Sequence, residues 1–587
     1  MVGWSASVHS PSIDETGHLP AGLSHWRLGR FDLYAVNPPL VRTAATAAIL
    51  CRDLQIDWSA YSSSVNHRSE FAIGQRFFQL NGLAGIEALT IARISLISIG
   101  AVMIVICWKI AATLKISQTI SIPTAVLACF SPSLLGNGSM ITPDFASVVA
   151  GFLAWCFIVR WSENNNLKNA NLAGVVIGCA ILTKLTCLVF AILLPITAII
   201  SVPAGSHRKH SGWLTLVLHC LMAFSIAVYM VNLGYLFEET CSQLGELPFV
   251  SRNFMSTAAL AGENRFSGSW VGDLRIPLPR NFMLGIDAQA EDFETGFRSY
   301  LTGEWKHGGW WYYYLIGFLV KEPIGFQLML YLSILHGLCN WKHWTRESFR
   351  EWSKIVLPPV LIFGLVSSQT GFNHHMRYVL PAYPFLFIIA ARTATLGKFW
   401  KWFSYACLTW QAAAVLWFAP HWMSYFNEFA GGPKNGHKWL VDSNIDWGQD
   451  ILMLKWWQDK HPEAAPLNAA MYTMFDPKDI GLKFRLPAPF VKGQPEVVNQ
   501  DGLRGPQSGW YAVSVCMLKG QHASVPEGDG KWSSSTENFT YFLDNFEPVD
   551  MIGYSIYIYH ITAADAARMR AKLLAEEAEF LKAEKTI

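Results

Sequence analysis

Charge is scarce in this chain. Of its 587 residues only 15% are Asp, Glu, Lys or Arg, whereas 52% are hydrophobic and 25 are Trp. With its positive mean hydropathy, that balance excludes an ordinary soluble enzyme and places the chain among polytopic membrane proteins. A basic tract is also missing. The 45 Lys and Arg nearly cancel the 43 Asp and Glu, for a net charge of +2, and nothing suggests a nucleic-acid partner. The eleven Cys show no CxxC pairing and lie mostly in apolar runs: Cys107, Cys129, Cys156, Cys179, Cys187, Cys220 and Cys407. They read as small core hydrophobes, not as a disulfide frame or a metal site.

What is abundant is apolar length. Runs long enough to cross a bilayer fall near 89–112, 119–136, 144–161, 213–236, 324–340, 354–370, 377–393 and 401–419, and a longer run, 171–203, is interrupted by Lys184. Lys342, Arg346, Arg350 and Lys354 precede one span, and Arg392, Lys398 and Lys401 precede the last; both loops are therefore expected inside. Counting back places 238–310 and the segment before 89 outside. The loop His207-Arg208-Lys209-His210 falls inside only if 171–203 is two short helices broken at Lys184. Lys184 would then satisfy freed carbonyls or snorkel to an interface.

This topology translocates residues 1–88, yet no span or signal peptide precedes them. The expected organisation is an outer loop with interfacial helices over 1–88 and a transmembrane core over 89–420 with its outer segment 238–310. A small α/β domain over 421–562 and a solvated charged helix over 563–587 follow. Trp58, Tyr61, Phe71 and Phe77-Phe78 suggest helix lying on the membrane surface. Trp310-Trp311-Tyr312-Tyr313-Tyr314 suggests an aromatic belt. After Pro420, strand-like runs at 467–473, 510–516 and 553–560 alternate with helical stretches at 447–459 and 537–545.

The candidate chemistry begins in Ser10–Arg42, SPSIDETGHLPAGLSHWRLGRFDLYAVNPPLVR. The carboxylates Asp14-Glu15 stand on a loop running into a helix, where Ser12 or Asp14 could cap the first turn. His18 follows one turn after Asp14, and the rigid turn Asn37-Pro38-Pro39 fixes the backbone carrying Arg42. Asp144, in Thr142-Pro143-Asp144, reads by itself as an N-cap carboxylate. Lys321 precedes a span and alone would be a snorkelling anchor. Asn373-His374-His375-Met376-Arg377-Tyr378 sets an Arg, suited to bidentate phosphate contact, at the start of another span. Two adjacent His without nearby ligands are weak grounds for a metal. In Tyr425–Ile451, Asp442, Asp446 and Asp450 repeat every fourth residue. Asp446 reads as the N-cap of a helix beginning at Trp447, with acceptor binding as the alternative.

The run Ser10–Arg42 resembles the first outer loop of GT-C superfamily membrane glycosyltransferases of the family 39-like group, which includes the protein O-mannosyltransferases and lipid A aminoarabinose transferases. Asp14-Glu15 matches their Asp-Glu pair, and Pro38-Pro39 with Arg42 matches their His-Pro-Pro or Lys-Pro-Pro turn, Asn37 replacing the His or Lys. Asp144, Lys321-Glu322-Pro323, Arg377-Tyr378 and Tyr425–Ile451 are similar to further segments of that family. The family's relatives begin with a transmembrane helix just before the loop, so either an in-frame apolar helix is expected upstream of Met1, the favoured reading, or this chain has lost that helix.

The resemblance implies a mainly α, polytopic GT-C fold with a small C-terminal extracytoplasmic α/β domain, in a bacterial inner membrane. It implies inverting transfer of a hexosyl or pentosyl unit from a polyprenyl-phosphate donor to a protein, lipid or glycan acceptor on the outer face. Asp14, Glu15 and Asp144 become the catalytic candidates, with Asp14 as the base. His18, Asn37, Arg42, Lys321, His375, Arg377 and Tyr378 become the substrate-binding ones. No cofactor is required by the sequence, and a divalent metal is left open. The rival reading is a transporter or flippase for a lipid-linked glycan, which would place ionisable groups at mid-membrane on broken helices. A non-enzymatic scaffold gives no reason for acids and cations to share one face.

Overall fold

The computed structural model describes residues 1–64, 67–97, 105, 118–201, 210–255, 264–499, 501–535 and 537–584. Helices dominate through Trp417. Among the described residues, Pro143–Glu163, Gly212–Gly234 and Met376–Thr395 are long and apolar enough to cross a membrane. Thr119–Cys129 and Pro132–Gly138 qualify as one span bent by 54°. The expected span 119–136 is thus two helices, because Phe130-Ser131-Pro132 breaks it and Ser131 caps the second piece through Leu134 N–H. Of the expected span 89–112 only 89–97 and Val105 are described, and His207–Lys209 lie outside the described residues.

The break at Lys184 is present. Leu167–Thr183 ends there, the 3₁₀ turn Leu185–Cys187 follows, and Leu188–Ser201 continues. The span expected at 377–393 opens as a 3₁₀ stretch, Met376–Ala382, before Tyr383–Ala391 becomes α-helical; Pro381 denies an α-helical hydrogen bond there.

Residues 1–95 are bound to the rest of the protein. Ile13–Arg27 lies between Leu40–Ala47 and Ser69–Ser95, and two glycines set how closely. A Cβ on Gly22 would come within 2.5 Å of the Arg42 carbonyl oxygen, and one on Gly74 within 1.9 Å of that of Thr16. Phe77 and Phe78 are buried, with Phe78 against Phe475 at 5.6 Å between ring centres. Phe78 therefore packs on the C-terminal domain, with Phe77 against it, where a membrane-surface helix had been expected to offer both rings to lipid.

Residues 298–307 form a hairpin, β1 (Arg298–Leu301) against β2 (Glu304–His307). The C-terminal domain holds a five-stranded mixed sheet built from β3 (Leu467–Ala470), β4 (Phe484–Arg485), β5 (Gly509–Ser514), β8 (Asp550–Ile552) and β9 (Ile556–Ile561), in the order β4-β3-β5-β9-β8. A separate hairpin pairs β6 (Ala523–Pro526) with β7 (Trp532–Ser535). Tyr511, Ala512 and Val513 are buried on both faces of the sheet, as a central strand requires. The terminal helix Ala563–Glu584 is not free in solvent. Ala566, Met569 and Leu573 are buried along one face, and Glu577 takes two hydrogen bonds from Arg504.

Candidate active site

Four segments remote in sequence meet around a cavity of about 330 Å³. Asp14 comes from the first turn of Ile13–Arg27, Asp144 from the start of Pro143–Glu163, Lys184 from the broken helix, and Arg377 with Tyr378 from the 3₁₀ stretch. Asn37, His374, His375, Asp442, Trp447 and Tyr472 complete much of the wall.

Arg377 is the hub. Its Nη2 lies 3.0 Å from Asp14 Oδ2 and its Nη1 3.6 Å from Asp144 Oδ2. The guanidinium carbon lies over the Trp447 ring, 4.0 Å from its centre, a cation–π contact. Lys184 Nζ donates to Asp144 Oδ1 at 2.5 Å and sits 4.5 Å from the ring centre of Tyr378. Asp144 is consequently not a helix cap. Thr142 occupies the cap position, and the Asp144 carboxylate is turned onto two cations.

Asp14 differs from Asp144 in freedom. Its side chain keeps 21% of its exposure, against 2% for Asp144. Burial raises the Asp14 carboxyl above its ordinary range; Arg377 opposes that shift and Asp144 adds to it. A carboxylate open to the cavity, with raised basicity, has the properties of a proton acceptor.

Glu15 points elsewhere. It is fully buried and accepts from Arg93 Nε at 2.8 Å, Arg93 Nη2 at 2.5 Å, Ile141 N–H at 3.0 Å, and the Ser12 N–H and hydroxyl at 3.0 and 2.9 Å. Burial would raise this carboxyl, but Arg93 and the hydrogen bonds outweigh burial and hold it below its usual value. Ser12, not Asp14, is the cap residue.

Three binding candidates also lie outside the walls of the cavity. Arg42 donates to the Tyr34 carbonyl at 2.9 Å and faces His25. His18 packs on Tyr34 at 4.5 Å between ring centres. Lys321 donates to the carbonyls of Met423 at 2.7 Å and Asn444 at 2.6 Å, so it buttresses the segment behind Trp447. Asn37, His375, Arg377 and Tyr378 do reach the cavity. His375 Nδ1 is 2.5 Å from Ser443 Oγ and 3.5 Å from Asp442 Oδ1.

Lys184 is the residue that sequence reasoning put in the wrong role. The signal was present: a lone ionisable group inside an apolar run is a functional candidate by default. Asp442 is likewise a wall residue, its Oδ2 accepting from Tyr472 Oη at 2.9 Å. Asp446 caps no helix, since the helix begins at Ile451 after the turn at Gly448, whose φ is +83°. Its carboxylate instead accepts from Cys516 N–H at 2.9 Å, and burial pushes its pKa up to about 7.

Together these features define a helical membrane-type protein with a charged cavity between its apolar helices and its C-terminal domain. Residues 80–229 match the model of the family described as dolichyl-phosphate-mannose-protein mannosyltransferase. The matched stretch includes Asp144 and Lys184 and lies outside Ser10–Arg42, the run on which the resemblance was first read. Solved structures similar to the chain include the crystal structures of ArnT from Cupriavidus metallidurans in the apo state and bound to undecaprenyl phosphate. Each is 11% identical and covers 96% of both chains, with TM-scores of 0.43 and 0.41. No curated protein sequence matches the chain.

Proposed function

We propose that this chain is a GT-C-type membrane glycosyltransferase that moves a sugar from a polyprenyl-phosphate donor to an acceptor hydroxyl on the outer face of the membrane. The observation that carries the reading is the convergence of Asp14, Asp144, Lys184 and Arg377 on one cavity. In the proposed reaction Asp14 takes the acceptor proton as the acceptor oxygen bonds to the anomeric carbon. The bond from that carbon to the phosphate oxygen breaks on the opposite side, inverting the centre. Arg377 and Lys184 stabilise the departing phosphate, and Asp144 holds both cations in place. Lys184 takes this phosphate-stabilising part, while Lys321, the substrate-binding candidate drawn from the resemblance, is occupied by the Met423 and Asn444 carbonyls.

An apolar groove of about 560 Å³ shares Gln289 and Tyr378 with the cavity. Leu185, Leu188, Phe254, Ile286 and Phe293 line it. A polyprenyl chain lying there would deliver its phosphate towards Arg377.

Arg377→Ala is expected to weaken donor use and Arg377→Lys to restore only part of it, because Lys lacks the planar fork. One charged hydrogen bond to phosphate is worth about 1.5–3 kcal/mol, or roughly 10- to 150-fold. The check is donor binding and sugar transfer by monodisperse purified variants; an Arg377→Ala protein with unchanged affinity and rate would remove the residue from the site.

The flippase reading draws on one observation, the Lys184–Asp144 pair at a broken helix. Purified protein that forms glycosylated product in detergent, without two compartments, favours transfer. Reporters should place Ile587 and 238–310 outside and a tag near Lys209 inside; a Lys209 tag reached only from outside would overturn the two-helix reading of 171–203.

A further inference from the structure

The wall residue Trp447 belongs to a seam between the N-terminal segment and the start of the C-terminal domain. Ile13 N–H donates to the Trp447 carbonyl at 3.0 Å and Ser10 N–H to that of Gln449 at 2.9 Å. The Ser10 hydroxyl donates to the Gly448 carbonyl at 2.8 Å and accepts from Ile451 N–H at 2.9 Å. Beside this seam, away from the cavity walls, three side chains from three segments converge. His9 follows the helix Val2–Val8, His421 follows the last apolar helix, Lys398–Trp417, and Asp450 precedes Ile451–Lys460.

Their facing atoms lie close together, with both rings a little beyond good hydrogen-bonding distance of Asp450. His9 Nε2 is 3.6 Å and His421 Nδ1 3.5 Å from Asp450 Oδ1, and the three atoms lie within 4.8 Å of one another. Each atom is buried and makes no hydrogen bond of good geometry among the described residues, the two rings facing Asp450 Oδ1 only at ion-pair range. Distances of 3.5–3.6 Å are too long for good hydrogen bonds. Yet a tetrahedral ion with bonds near 2.0–2.1 Å sets its ligand atoms about 3.3–3.4 Å apart. Three orphaned buried atoms would be an expensive arrangement with nothing between them.

The far side of two of these ligands is fixed. His9 Nδ1 meets Ser5 Oγ at 3.1 Å, directing Nε2 inward. Asp450 Oδ2 accepts from Ser555 Oγ at 2.7 Å and Gln449 Nε2 at 2.9 Å, leaving Oδ1 to face the two rings. Gly553 lies against this carboxylate so closely that a Cβ there would fall 2.2 Å from it. Metal-binding His and carboxylates are oriented by such outer hydrogen bonds.

We propose that His9 Nε2, His421 Nδ1 and Asp450 Oδ1 bind one divalent cation of the Zn²⁺ class. Two imidazole nitrogens and one carboxylate oxygen suit a borderline ion, and a water at the partly exposed His421 side would supply a fourth ligand. The ion fastens residues 9, 421 and 450, and so holds the Trp447 turn against Arg377. Its role is positioning, separate from the reaction.

The test is metal content of the full-length protein in detergent, loaded with Zn²⁺ and dialysed. About one Zn²⁺ per chain is expected for wild type, and background levels for His9→Ala, His421→Ala and Asp450→Asn. His461→Ala, which removes an exposed His paired with Glu463, should keep the ion. Co²⁺ loading of wild type should also give the visible absorption of a tetrahedral N/O site, a readout that does not depend on any variant folding. Wild type without bound Zn²⁺ and without that Co²⁺ spectrum, retention of the ion in a well-folded His421→Ala protein, or its loss in His461→Ala would each overturn the site.

Discussion

Asp14→Asn is expected to bind donor and fail to turn over, with transfer reduced by about 10²–10⁴, the scale of a lost general base. The substitution keeps the shape and a hydrogen-bonding group beside Arg377, 3.0 Å away in the wild type, but removes the proton acceptor. Because burial raises the Asp14 carboxyl, the wild-type rate should fall on the acid side at a pH above the ordinary carboxylate range, and the residual Asn rate should lack that limb. Asp144→Asn should behave differently. It strips the counter-charge from Lys184 and disturbs Arg377, so donor binding changes together with turnover. Normal turnover by a monodisperse Asp14→Asn protein would remove Asp14 as the base, and normal turnover by Glu15→Gln as well would weaken the transferase reading itself.

The second large effect is on stability. Glu15→Ala leaves Arg93 charged and buried against backbone carbonyls alone, and breaking such a pair costs about 3–5 kcal/mol. Urea or thermal unfolding of the detergent-solubilised protein should register that loss, with Glu15→Gln milder. The sign with pH follows from the depressed carboxyl. The Glu15 contribution is present above its unfolded value and is lost as pH falls through the folded one, so wild type and Glu15→Gln should converge at acid pH. Folded Glu15→Gln protein should still transfer sugar. A stable Glu15→Gln protein with no turnover would exchange the roles of the two acids.

Adjacent residues on a helix point about 100° apart, so spacing alone could not decide between Asp14 and Glu15. Each choice depended on a distant partner, Arg377 for one and Arg93 for the other. Local chemistry was legible: a helix start at Ser12 or Asp14, the stop at Lys184, three strands of the C-terminal domain (β3, β5 and β9) and the apolar runs. Contacts across hundreds of residues were not. Arg42 after its Pro-Pro turn looks as available as Arg377, yet it is spent on the Tyr34 carbonyl. The terminal helix looked solvated because its charges outnumber the thin stripe of Ala566, Met569 and Leu573 that docks it. Lys184 was read as an interruption because hydropathy records a charge as a loss of apolar length, with no sense of the Asp144 that faces it.

The most direct measurement is a structure of the protein with a polyprenyl phosphate bound. The phosphate oxygens should lie within hydrogen-bonding distance of Arg377 and beside Lys184, the chain should follow the groove past Tyr378, and Asp14 should be released to face the acceptor side. A phosphate held elsewhere, with the Arg377–Asp14 pair intact, would contradict the account.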